Sequence, residues 1–145
     1  MNTTLHINRL EELDKALKIS NQVFEPSPEE TQKYHNKNDW LNKINNDGLL
    51  ITAWDDNKMV GFSVCYSKEQ KFHIWNVGVL KAYRKLGIWK KMHSEIEKFA
   101  KEKNFKHLTL NTYKAKFPLM YAFVLNNGYV EYKTEEEKSF FIKEI

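Results

Sequence analysis

The sequence predicts an α+β fold built on a mostly antiparallel sheet. Three observations carry this. Short apolar runs of strand length alternate with Gly-, Asn- and Asp-rich turns. Longer stretches place apolar residues at helical spacing. The resulting order, β α α β β β α β α β β, joins most neighbouring strands by tight turns, which favours antiparallel pairing. The 145 residues suit one domain, 1–145, with a sizeable core. Apolar residues make up 41% and aromatics 14%, a composition that folds.

"TLHINR" (4–9) reads as the first strand. Asn8, with Glu11 three residues on, has the spacing of a helix-start box. Leu10, Leu13, Leu17 and Phe24 then mark an apolar helical face, predicting a helix over 9–24. "EPSPEE" breaks it. Ser27, Pro28 and Glu30 form a second helix start, and Trp40, Leu41 and Ile44 anchor the polar stretch that runs to Asn46. "LLITAW" (49–54), "MVGFSVCY" (59–66) and "FHIWNVGV" (72–79) read as strands joined by the turns "DDNK" and "KEQK". From Ile88, apolar residues fall at Ile88, Met92, Ile96, Phe99 and Ala100, an amphipathic helix. "HLTLNTY" (107–113) is a strand, Pro118 starts a short helix that Gly128 ends, and "GYVEY" with "KSFFIKEI" closes as a strand pair.

No apolar run approaches the roughly 20 residues that span a bilayer. The N-terminal stretch has no apolar signal-peptide core, and the sole cysteine, Cys65, has no internal partner. A cytoplasmic location is expected, with no membrane association. His6, His35, His93 and His107 have no ligand-type spacing with Cys65 or carboxylates, so no metal is expected. Cys65, in mid-strand, reads as core.

The net charge of +4 is unevenly spread. Residues 71–116 hold twelve Lys/Arg against three Glu, a local +9, while every other part of the chain is slightly negative. Such a field attracts a polyanion, whether a nucleotide, a phosphorylated cofactor or a nucleic acid; a solvated helix face is the plainer reading. Within it lies "YRKLGIWKKM" (83–92), a glycine at a strand-to-helix corner flanked by basic residues. Unpaired N–H groups and the helix dipole make such a corner suit a pyrophosphate. It is neither a Walker loop nor a dinucleotide fingerprint. The basic segment also lacks any nucleic-acid-binding motif, so no nucleic-acid partner is expected.

The stretch Val79-Leu-Lys-Ala-Tyr-Arg84-Lys-Leu-Gly87-Ile-Trp89 resembles the central motif of the GNAT family of N-acetyltransferases, V-x-x-x-x-[Q/R]-x-x-G-x-[G/A]. "AWDDNKMVGF", "HLTLNTY" and the "NNGY" ending agree, as does the element order, so the resemblance spans essentially the whole chain. It implies a mostly antiparallel twisted sheet with a splayed central strand pair flanked by helices. It also implies acyl transfer from acetyl-CoA, as co-substrate, to a primary amine on a small molecule or peptide. A homodimer is common in the family. The fourth strand, at Val77, Gly78 and Val79, would pair with the pantetheine arm, and a backbone N–H there would polarise the carbonyl. Arg84, Lys85, Leu86, Gly87, Ile88, Trp89 and Lys90 would hold the pyrophosphate.

The chain departs from the family pattern in two places. Trp89 stands where Gly or Ala is usual. As a first-turn residue it is expected to lie outward, one turn from Met92, and leave its N–H available. The tyrosine that commonly protonates the leaving thiolate is replaced by Val124, and Phe117 stands where an asparagine is frequent. Tyr121, three residues earlier, is the substitute acid; the alternative is a packed aromatic. Six residues before Val79, where the histone-acetylating branch has a glutamate, stands His73, a candidate base or else a packed strand histidine. Glu69 and Asn76 are weaker candidates. A relative that binds CoA or a protein partner without turnover is the rival reading. The acceptor is expected to meet 24–46 and 129–140, which are mixed in charge.

Overall fold

The computed structural model describes residues 2–24 and 36–145. The expected helix start at Ser27, Pro28 and Glu30 lies outside these residues. The described elements are β1 (Thr3–Ile7), α1 (Leu13–Val23), α2 (Lys37–Ile44), β2 (Leu49–Asp55), β3 (Lys58–Lys68), β4 (Lys71–Val79), α3 (Ile88–Glu102), β5 (His107–Tyr113), α4 (Pro118–Asn126), β6 (Val130–Glu135) and β7 (Lys138–Glu144). The strands form one sheet in the order β1-β2-β3-β4-β5-β7-β6. Every neighbouring pair is antiparallel except β4 and β5. The strand and helix order is the one the sequence predicts.

The start of α1 differs from expectation. Asn8 does not cap a helix. Its side-chain oxygen accepts the Leu50 N–H at 2.8 Å and its own N–H donates to the Leu50 carbonyl at 2.7 Å. It sits at φ 52°, a left-handed conformation that asparagine tolerates better than most residues. With Asn8 committed to β2, the chain makes a short 3-10 turn over Leu10–Glu12 and the α-helix begins at Leu13. Leu10 is consequently exposed rather than on the apolar face. By contrast α2 has a capping side chain: Asn36 accepts the N–H groups of Asn38 and Asp39.

Two apolar clusters cover the two faces of the sheet. α3 and α4 bury Ile88, Met92, Ile96 and Val124 against Phe72, Ile74 and Phe141. On the other face, α1 and α2 bury Leu13, Ile19 and Trp40 against Leu50, Phe62 and Val64. Trp40 stacks on Phe62 with ring centroids 5.4 Å apart.

Two irregularities of β4 position the site. First, Cys65 pairs with Ile74 but Val64 pairs with Asn76, so Trp75 is an extra residue on β4. Such a bulge reverses the alternation of side chains beyond it. Ile74 and Val77 face α3 and α4, whereas Trp75 and Asn76, in succession, share the α1/α2 face with Val64. Second, β4 and β5 pair only through Phe72↔Leu108, His73↔Thr109 and Ile74↔Leu110. Both strands continue, but apart.

Candidate active site

The parting of β4 and β5 opens a cleft of about 240 Å³ between Trp75, Asn76 and Val77 on one side and Leu110, Asn111 and Thr112 on the other. Phe117 and Met120 from the start of α4 and Phe24 from the end of α1 add apolar walls, and Tyr113, Lys116 and Lys138 also line it. Phe24 meets Phe117 edge to face at 6.1 Å, so the two helices touch over the cleft. From Trp75 onward the edge of β4 that faces β5 has no strand partner among the described residues. Its backbone groups are a template for an extended ligand.

β4 leads into the basic corner. Leu80 donates its N–H to Val60, and Lys81–Tyr83 form a single 3-10 turn. Arg84 folds back, its Nε donating to the Val79 carbonyl at 3.0 Å. Lys85 lies at φ 65° and Gly87 at φ 84°, so the chain makes two left-handed steps before α3 begins. A β-carbon added to Gly87 would meet nothing within 4 Å. Glycine is needed there for its backbone angle, and the space over it is open to a ligand. The first backbone bond of α3 runs from the Lys91 N–H to the Gly87 carbonyl. The N–H groups of Ile88, Trp89 and Lys90 therefore have no helical acceptor, no side chain caps them, and the first turn carries no acidic residue. Arg84, Lys85, Leu86 and Lys90 are exposed around them. This geometry fits a pyrophosphate: open space, unsatisfied amides, a helix dipole and unpaired cations.

Trp89 corrects one expectation. Its indole does not lie outward. It packs inward on His93, at 5.4 Å, and on Phe123 of α4, at 5.5 Å. The apolar surface of α4 offers a better site than water for a large ring. Its backbone amide stays available at the helix start.

His73 is 4% exposed, and its Nδ1 is 2.8 Å from the Thr109 hydroxyl. Burial, then the charges of Lys68, Lys138 and Lys43, push its pKa down to about 3. The imidazole is neutral throughout the ordinary pH range and binds protons weakly. It lies where β4 and β5 are still bonded, at the closed end of the cleft. Tyr121 is held elsewhere. Its hydroxyl donates to Glu131 Oε1 at 3.0 Å, its ring meets the edge of Phe141, and the Glu131 bond raises its pKa. Met120 lines the cleft, and Tyr121 does not. Val124 is fully buried in the core beneath α4. Gly78 lies opposite Phe62 and lets its ring approach. Val77 lines the cleft, and the Val79 carbonyl is taken by Arg84. Among the described residues no group of three or more His, Cys, Asp or Glu is arranged to hold a metal ion. No helix among them is long and apolar enough to cross a membrane.

Phe24 falls at the edge of the 24–46 stretch expected to meet the acceptor, but sequence reasoning did not anticipate Met120 and Trp75 as cleft walls. Their apolar character reads as core, and only the bulge and the parting of the strands expose them.

Residues 10–123 match the sequence model of the Acetyltransferase (GNAT) family. Among solved structures, the chain is similar to the PaiA N-acetyltransferase from Thermoplasma acidophilum in complex with coenzyme A. The TM-score is 0.86 and the identity 19%, over 100% of both chains. It is also similar to the ribosomal-protein-S18-alanine N-acetyltransferase from Escherichia coli, with TM-score 0.82, 12% identity, and 99% and 94% of the two chains covered. Ard1 from Thermoplasma volcanium gives 0.78 and 12%, over 100% and 99%. A comparison with the sequences of curated proteins finds no match.

Proposed function

The chain belongs to the GNAT acetyltransferase family, and on that premise we propose that it transfers an acetyl group from acetyl-CoA to a primary amine by direct attack. The observation that carries this is the continuity of two features. The unpaired edge of β4 runs directly into a helix start whose amides, left-handed glycine and cations suit a pyrophosphate. A CoA-shaped ligand has a pyrophosphate at one end and an extended pantetheine arm at the other.

In this reading Arg84, Lys85 and the amides of Gly87, Ile88, Trp89 and Lys90 bind the pyrophosphate, flanked by Leu86. The open edge at Val77, Gly78 and Val79 pairs with the pantetheine arm. An unpaired N–H on that edge donates to the thioester oxygen and stabilises the negative charge that grows on it. The neutral amine attacks the carbonyl carbon, the C–S bond breaks, and the nitrogen gives up a proton as the thiolate gains one. His73 is too weak a base to take that proton from an ammonium group, so the amine must arrive neutral or lose its proton to water. Tyr121 serves as acid only if its hydroxyl leaves Glu131 for the cleft. Positioning the amine against the thioester supplies the remainder of the rate. The enzyme is read as cytoplasmic and metal-free, with no nucleic-acid partner, and as a homodimer, which light scattering would check.

The test is an amine panel with acetyl-CoA, following thiol release. Amine-dependent thiol release above the blank supports transfer. CoA binding by calorimetry with no release from any amine supports the second reading, a CoA-binding relative without turnover. Val124 in the tyrosine position and the engagement of Tyr121 by Glu131 are the observations on its side.

A further inference from the structure

Asn76 is 6% exposed, and its side-chain Nδ2 is buried without a hydrogen-bond partner. Its backbone carbonyl is satisfied by the Ser63 hydroxyl at 2.9 Å, so the deficit belongs to the side chain alone. An unmade bond at a buried amide destabilises the fold, and an apolar side chain would avoid it. The position is not peripheral. Asn76 lines the cleft immediately before Val77, and the bulge at Trp75 turns it to the α1/α2 face. On that same face Trp40 Nε1, on α2, and Ser20 Oγ, on α1, are also buried without partners. The pyrophosphate corner lies at the start of α3, against the opposite face. Trp89 Nε1, on α3, is likewise buried without a partner, but it packs against α4; among the residues that line the cleft, the unpaired donor is Asn76 Nδ2.

We propose that the Asn76 side-chain amide is the acceptor-binding contact of this cleft, and that it selects amines bearing a hydrogen-bond-accepting oxygen beside the amino group, the α-amino carbonyl class. This rests on the acetyl-transfer reading above. The argument is one of valence. Nδ2 is a donor only. A plain alkylamine in its ammonium form is a donor only, and in its neutral form it must direct its single lone pair at the thioester carbon, so in either case it leaves Nδ2 as unsatisfied as before. A lysine side chain or a polyamine falls in this class. An α-amino amide or a peptide N-terminus brings a carbonyl oxygen three bonds from the attacking nitrogen and satisfies Nδ2 while presenting the nitrogen to the thioester. The side-chain amide torsion of asparagine is broad, so Nδ2 can turn toward the cleft. Sites built around such a donor discriminate strongly against ligands that lack the matching atom, because the buried group is then left unpaired. The cleft's about 240 Å³ holds a small head group. Phe24, Trp75, Phe117 and Met120 form its apolar walls, and Asn111, Thr112, Lys116 and Lys138 also line it; of the lining side chains, Asn76 is the one with a donor buried without a partner among the described residues.

The experiment compares three amines on the CoA-loaded protein: alaninamide, a tetrapeptide with free N-terminal alanine, and isopropylamine, which lacks the oxygen. The variants are Asn76→Leu and Asn76→Ser. Two readouts are used. The first is the nitrogen-15 shift of the Asn76 side-chain amide on titration with each amine, which needs no turnover. The second is kcat/KM with acetyl-CoA, taken as the ratio of each oxygen-bearing amine to isopropylamine. Comparing that ratio between wild type and variant cancels the amines' own basicity. The expected result is that alaninamide, the peptide or both shift the Asn76 amide and isopropylamine does not. In Asn76→Leu the ratio should fall at least tenfold while CoA affinity stays within twofold. Asn76→Leu should melt at or above the wild-type temperature, since it removes an unpaired polar group, and Asn76→Ser covers the case in which leucine disturbs packing. A response to alaninamide without the peptide identifies small amino-acid derivatives as the source of the chemistry; the reverse identifies polypeptide N-termini. The proposal is overturned if isopropylamine shifts the amide equally, if no amine shifts it, or if the kcat/KM ratio survives both substitutions. If the amide shift appears but no amine is acetylated, the acetyl-transfer reading fails while the binding contact stands.

Discussion

The two halves of β4 can be set side by side. From Phe72 to Ile74 the strand is bonded to β5, and its one polar side chain, His73, is paired with Thr109 across the strands. From Trp75 to Val79 the strand has lost β5, and its one polar side chain, Asn76, has no partner. The residues are equally buried. What differs is whether the protein itself completes the hydrogen bonding. In the closed half the side chains serve the fold, and in the open half they and the backbone are left for something else to complete. Burial alone does not distinguish these cases; the count of unmade bonds does.

The largest expected effect lies in the closed half. Phe72 is fully buried, its ring 5.0 Å from Phe105 and 5.5 Å from Phe99. Phe72→Ala should cost about 3–5 kcal/mol of stability, read by denaturant unfolding, with CoA affinity in the folded fraction near wild type. An affinity loss as severe as the stability loss would break the division between the halves.

Next comes the open end. Gly87→Glu places a carboxylate in the proposed pyrophosphate position and a side chain at φ 84°, with space around it. Stability should fall by only about 1–2 kcal/mol, while CoA affinity by calorimetry should drop at least hundredfold, roughly 2.7 kcal/mol. Unchanged affinity would remove the pyrophosphate from this corner.

A smaller, graded effect follows from pH. His73 has its pKa lowered to about 3, and His93, buried against the Tyr129 hydroxyl and repelled by Lys143, to about 4. Above pH 6.5 both are neutral in either state, so neither affects stability. Below 6.5 the unfolded chain takes up protons that the folded chain refuses, and stability is lost as the pH falls toward 4. Each histidine contributes a limiting slope of about 1.4 kcal/mol per pH unit. Asn or Gln at either position should flatten the acid limb, measured by urea midpoints at several pH values. The same low value means the pH profile of kcat/KM should carry no His73 limb above pH 5. A limb near 6.5 that disappears in His73→Gln would restore the histidine as base.

The smallest effect is expected at Tyr121. Its hydroxyl is bound to Glu131, so Tyr121→Phe should change kcat less than about twofold and leave CoA affinity intact. A tenfold or larger fall would show that the hydroxyl reaches the cleft, since general-acid catalysis is typically worth ~10²–10⁴-fold.

The sequence was most legible where local rules and tertiary needs agree. β5 runs over His107–Tyr113 and α3 starts at Ile88, as periodicity and the glycine corner predict. The backbone geometry of the basic corner was legible for the same reason, because a strand, a left-handed glycine and a helix start are all local. The misreadings share a different cause. Asn8 satisfies every local requirement of a cap, yet Leu50, 42 residues away, takes its side chain. Trp89 was expected outward on helical geometry alone, and Phe123 draws it in. Tyr121 and Met120 are neighbours on a helix apolar on nearly all sides, and only the placement of α4 on the sheet decides which meets the cleft. The bulge at Trp75 leaves no sequence signature, and without it Asn76 reads as an ordinary strand residue.

The same bulge has an optical consequence. Of the four tryptophans, Trp40 and Trp54 are buried, at 0% and 8% exposure, and neither lines the cleft, although Trp40 meets Trp75 edge to face at 6.2 Å. Trp75 forms part of the cleft wall with the Lys43 ammonium 4.5 Å above its ring, and Trp89 sits in the first turn of the helix whose amides face the corner. The chain thus carries built-in fluorophores at both ends of the open strand edge, with Trp40 coupled to Trp75 by ring contact. Emission from Trp89 should respond to a ligand's phosphates and emission from Trp75 to whatever enters beside Asn76. With Trp75→Phe and Trp89→Phe as single-site blanks, the order in which the two ends fill becomes a stopped-flow measurement that requires no label.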